Sequence, residues 1–156
     1  RSGSGHRNMS QLVNTQAHRA ARNAASIALA DVGVGNASIK LYSTQGGTLR
    51  ATRSLAKPCG SIRPSDGRLV LIASENSDVA ESTGSVTWGE WCDGSGVLIA
   101  AGRVTDPDGN ITDGTDAVVP DPEGVGPFVL GNLDPAVTGT KVYAGGLVIM
   151  YAGLIG

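Results

Sequence analysis

Between Asn14 and Asp31 the apolar residues return every three or four positions; beyond Asn36 they return every two. The first period predicts one helix. Asn14 or Thr15 can cap it, because either side chain can accept a bond from an orphan amide of the first turn. Ala17, Ala21, Ala24 and Ala28 share one face, which Ile27 and Leu29 widen. Gly33 and Gly35 in "DVGVG" tolerate the left-handed backbone that closes a helix. An alanine face permits close approach but buries little area, so this helix needs a neighbour: the body of the protein or another subunit.

The second period predicts strands. Ala37, Ile39 and Leu41 alternate with Ser38, Lys40 and Tyr42, and "TQGGT" returns the chain into "TLRATRSL" as a hairpin. "KPCGSIRPSDG" reads as a Pro/Gly loop, Arg68 to Ser74 as a core strand, and "ENSDVAESTG" as a polar loop turned outward. "SVTWGEWC" and "VLIAAGRVT" form a second hairpin through Asp93-Gly94-Ser95-Gly96. "DAVVPDPEGVGP" is an irregular connection, and "FVLGN" and the apolar terminal run add the last strands. Seven to nine strands after one helix predict a mainly β fold. The expected form is an antiparallel β-sandwich or jelly-roll-like barrel with one N-terminal α-helix. Residues 9–35 form the helical arm and 36–156 the β-sandwich domain. The opening "RSGSGHRN", residues 1–8, reads as an expression-tag remnant before Met9.

The chemistry turns on "DPDGNITDGTD", Asp106 to Asp116. A helix–loop–helix calcium loop needs Gly at its sixth position and a bidentate Glu at its twelfth. Counting from Asp106, these are Ile111 and Ala117. Turn chemistry fits instead: Pro107 presets φ, and Asp108, Gly109 and Asn110 tolerate positive φ. No metal or other cofactor is expected.

Catalysis is not expected either. A Ser–His–Asp or Cys–His arrangement needs a histidine base. Past the tag remnant only His18 remains, beside Arg19 and Arg22 on the helix. "DGSGV" only superficially resembles a nucleophile elbow. Glu90, between Trp88 and Trp91, is the one carboxylate to name for a hydrolase, and its simpler reading is a strand residue beside packed rings. The two tryptophans suit core or subunit packing, with sugar stacking as the alternative.

The formal net charge of −2 and the absence of a Lys/Arg run argue against a nucleic-acid face. The apolar terminus "YAGGLVIMYAGLIG" is broken by Gly and falls short of the ~20 residues of a membrane span. Cys59 and Cys92 match no redox or zinc spacing; two free thiols are the default, with a disulfide open. The 23 glycines and 17% charged residues suit short strands and tight turns.

The order of "AHRAARNAASIALADVG", "NASIKLYS" and "GGTLRATRSL", then "STGSVTWGEWCDGSGVLIAAGRVTDPDG" and a Gly-rich terminal strand, resembles virion proteins of tailed bacteriophages and prophages. The likeness is one of layout and spans most of Met9 to Gly156. It implies a non-enzymatic structural protein, foremost a capsid decoration or cementing protein bound to the major capsid protein in the virion, which is assembled in the bacterial host cytoplasm. Homo-oligomers are implied, with Ala17, Ala21, Ala24, Ala28, Trp88, Trp91, Tyr143 and Tyr151 as candidate interface residues. A tail, neck or fibre component, or a host-surface carbohydrate-binding module, is the alternative. The "VVPDPEGVGP" stretch and the paired tryptophans have no place in that layout.

Overall fold

The computed structural model describes residues 13–132, 134, 136–151 and 154–155. The expected tag remnant and Met9 lie outside them. Among the described residues the architecture is mainly β with one N-terminal helix, as the two periods predict.

Helix α1 runs Gln16–Ala30. Thr15 caps it, its Oγ1 accepting from His18 N at 3.1 Å. The side that meets the body is polar. Arg19 Nη1 donates to the Asp66 carbonyl at 2.6 Å, Asn23 Nδ2 to the Gly67 carbonyl at 2.9 Å, and Gln16 Nε2 to the Pro64 carbonyl. Carbonyls of a turn need donors, and Gln16, Arg19 and Asn23 present them at helical spacing. Gly67 permits the approach: its φ is +74°, and a Cβ there would lie 2.6 Å from the Gln16 carbonyl oxygen. Ile27 and Ala30 complete the contact by reaching the core. The alanine stripe consequently faces solvent, and Ala17, Ala21, Ala24 and Ala28 are all exposed.

The first strands are β1 (Ser38–Tyr42), β2 (Leu49–Ile62), β3 (Leu69–Ala73), β4 (Asp78–Val79) and β5 (Gly84–Ser85). Next come β6 (Trp88–Cys92), β7 (Leu98–Thr105), β8 (Asn110–Thr112) and β9 (Val118–Pro120). The last are β10 (Phe128–Gly131), β11 (Lys141–Val142), β12 (Leu147–Met150) and β13 (Leu154–Ile155). Nine of them form one curled sheet in the order β13-β3-β2-β1-β6-β7-β10-β12-β4; β11 pairs with β5, and β8 with β9. All pairings are antiparallel except β7 with β10. The inner face carries Ile39, Leu41, Ala51, Leu55, Trp91 and Phe128. Alternation in β1, with Ile39 and Leu41 buried between half-buried neighbours, follows the sequence period.

Three segments depart from the expected loops. Strand β2 does not stop at Lys57 but continues to Ile62 through a bulge between Leu55 and Gly60. Pro58 sits exposed in that bulge, where no ladder amide is required. "ENSDVAESTG" does not simply turn outward: β4 is the last strand of the sheet and Ala80 is buried. The cause is Arg53, on the inner face of β2 and only 4% exposed. Its Nη1 meets Asp78 Oδ2 at 2.8 Å and its Nη2 the carbonyls of Glu75 and Asn76. A buried guanidinium needs its counter-charge and acceptors, so this segment folds back over β2 and closes the curl. "DAVVPDPEGVGP" is partly strand, as β9 pairs with β8.

Candidate contact surface

Aspartates organise the loops. Asp93, Asp106 and Asp113 each open a turn of the same construction. In each, the Asp N–H donates to the carbonyl four residues on, and the amide three residues on donates back to the Asp carbonyl. Each Oδ1 accepts the amides two and four residues ahead, at 2.8–3.1 Å. The fourth residue has positive φ: Gly96 at +85°, Gly109 at +81° and Asp116 at +63°. This is a hairpin loop closed by an Asx turn. The turn reading of "DPDGNITDGTD" therefore holds. Asp106 goes further: its side chain is buried, and Oδ2 accepts the Gly139 amide at 2.7 Å. Both its oxygens are taken up by backbone N–H donors, which occupy the positions a cation would need.

Several other ionisable groups are tied to structure as well. Arg63 beside Asp66 holds that carboxyl well below the usual range. Asp113 is lowered by the Thr115 hydroxyl and amides, and Asp121 by the Glu123 amide and then Arg103. Cys59 and Cys92 are buried free thiols. Burial pushes Cys59 up to about 12, helped by the adjacent Asp31 carboxylate, which also accepts the Cys59 amide. Burial also raises Cys92. Among the described residues, no group of three His, Cys, Asp or Glu side chains is placed to share a metal ion, and no helix is long and apolar enough to cross a membrane.

The tryptophans separate. Trp88 and Trp91 are three apart on β6, so they point to opposite faces. Trp91 is 2% exposed and belongs to the core, so it offers no contact area; Trp88 is half-buried, with its Nε1 donating to Glu90 Oε2 at 3.3 Å. They cannot form one stacking platform. Tyr143 and Tyr151 are exposed, Tyr143 under the Lys141 ammonium at 5.3 Å and Tyr151 at the rim of a cleft of about 320 Å³. That cleft lies inside the curl, walled by Leu55, Leu71, Ile72, Phe128 and Met150.

Apolar surface is concentrated where the end of α1 meets the β6–β7 hairpin. The Gly94 amide donates to the carbonyls of Ala30 and Val32, and the Gly35 amide to the Gly94 carbonyl. The backbones touch: a Cβ on Gly94 would lie 2.2 Å from the Gly35 carbonyl oxygen. Around this junction Leu29, Val32, Val34, Val97 and Leu98 are more than half exposed. A second apolar pair, Val79 with Leu147, crosses the β4–β12 ladder in the open. The junction was missed in the sequence because "DVGVG" reads as a helix stop; its signal was two valines alternating with glycines, with no partner period.

The chain matches no family model, no curated protein and no solved structure.

Proposed function

We propose that this protein is a non-enzymatic structural component of a bacteriophage virion, foremost a decoration or cementing protein of the capsid shell. It acts by burying apolar surface against the major capsid protein and against its own copies. The observation that supports this reading is the exposed apolar junction of Leu29, Val32, Val34, Val97 and Leu98 on a small body whose buried aspartates already hold its turns. Large exposed apolar patches mark interaction sites, because water leaves them on contact. The solvent-facing alanines of α1 adjoin the junction and allow close backbone approach.

The test is co-sedimentation with heads and with tails purified from the parent phage. Saturable binding to heads, weakened by Val34→Asp, is the expected result. Binding to tails or fibres alone moves the protein to the alternative virion position, and binding to neither removes the virion reading.

A further inference from the structure

Strand β7 is longer than the neighbour on one of its sides. Strand β6 pairs along it from Trp88 opposite Arg103 to Cys92 opposite Leu98. On the other side β10 takes only Val104 and Thr105. Pro127 then lies over the face of the strand at Gly102, where a Cβ would meet its Cγ at 2.6 Å. Among the described residues no strand pairs with Leu98–Ala101 on that side.

The direction of the free groups follows from the ladder. The Val104 amide donates to the Thr87 carbonyl at 3.0 Å, on the β6 side. Peptide groups alternate along a strand, so those of Arg103 and Ala101 point away from β6. The Arg103 carbonyl faces Gly126; Ala101 faces solvent. Natural edges are protected by Lys, Pro or bulges. This one has only a bulge at Ile99, and no charged residue or proline lies between Gly94 and Gly102.

We propose that this open edge pairs with the same edge of a second copy, antiparallel across a two-fold axis, so that two curled sheets join into one. The proposal rests on the assembly role above and supplies its self-contact. Three features favour a second copy. A two-fold axis makes identical strands antiparallel, and it places each free amide opposite a free carbonyl of the same kind of edge. The segment is uncharged, so like meets like without repulsion. A stable interface buries about 800 Å² per partner, more than four edge residues supply. The adjoining Val97, itself more than half exposed, extends the same apolar surface toward that area.

Sedimentation velocity across a wide concentration range, with hydrogen exchange of the segment 97–102, tests the pairing. The expected result is a dimer in which the Ala101 amide exchanges slowly. Leu98→Lys and Ala101→Pro, the second removing only an outward amide, each weaken the dimer by about tenfold or more with an unchanged far-UV spectrum. If Ala101→Pro fails to fold, Leu98→Lys decides. A monomer at every concentration, a dimer whose 97–102 amides exchange as freely as a monomer's, or variants that dimerise like the parent overturns the pairing. The head-binding assay, run beside it, separates the two ideas: a monomer that binds heads sinks only the pairing, and a dimer that binds nothing sinks only the virion role.

Discussion

Replacing Asp106 by Ala removes one carboxylate and three bonds: to the amides of Asp108 at 3.0 Å, Asn110 at 2.8 Å and Gly139 at 2.7 Å. Bonds to a charged acceptor contribute about 1.5–3 kcal/mol each but are not additive, and a buried amide left without a partner costs about 1–3 kcal/mol. Two of the three amides belong to the turn itself and can reach water. The third, on Gly139, joins a distant loop and is stranded. The expected loss for Asp106→Ala is about 4 kcal/mol, a large part of the ~5–15 kcal/mol stability of a domain. Asp113→Ala is the internal control, because the same turn construction there faces solvent; its loss should be less than half as large. Asp106→Asn should fall between, since one amide oxygen can still serve the turn while its NH2 confronts the Gly139 N–H. Urea unfolding at pH 7, followed by circular dichroism with the slope checked for constancy, measures all three. Equal losses at positions 106 and 113, or an Asp106→Ala midpoint indistinguishable from the parent, would refute the claim that Asp106 ties two loops together.

Two further outcomes follow from groups described above. Asp66, Asp113 and Asp121 all titrate below the ordinary carboxylate range when folded, so their stabilisation is complete above the unfolded value of about 3.9 and is lost as pH falls toward the folded ones; the urea midpoint should hold from about pH 7 to 5 and fall below about 4. Cys59 runs the other way: its folded value is raised, so its contribution is complete below about 8.5 and fades as pH rises toward 12. At pH 8 an aromatic disulfide reagent should leave Cys59 unmodified until denaturant is added, and prompt modification of the native protein would contradict its burial.

Much of the architecture was legible because two periods carried it. The change from 3.6 to 2 near Asn36 located the helix and the hairpins, and Asp-Gly-Ser-Gly located a turn. What stayed hidden depended on partners distant in sequence. The helix packs by Gln16, Arg19 and Asn23 instead of by alanine because the 63–67 turn offers carbonyls, and that turn lies more than forty residues away. Asp78 looked like a loop acid because nothing in its vicinity announces Arg53. Pro58 looked like a strand end because a bulge is set by the neighbouring strand. Of the contact residues, Tyr143 and Tyr151 reach the surface as exposed rings, whereas Trp91, one of a sequence pair, is claimed by the core.

The strand order also dictates a schedule for folding on the ribosome. Strands β3, β2, β1, β6 and β7 are adjacent in space and emerge between residues 38 and 105, so a five-stranded antiparallel sheet can assemble early. Strand β4 emerges in the same interval, yet its ladder partner β12 is translated about seventy residues later. Until then the nascent chain carries unpaired strand edges at both β4 and β7. Crowded polysomes would bring those edges together between neighbouring chains, so the yield of native protein should depend on how quickly the second half of the message is read.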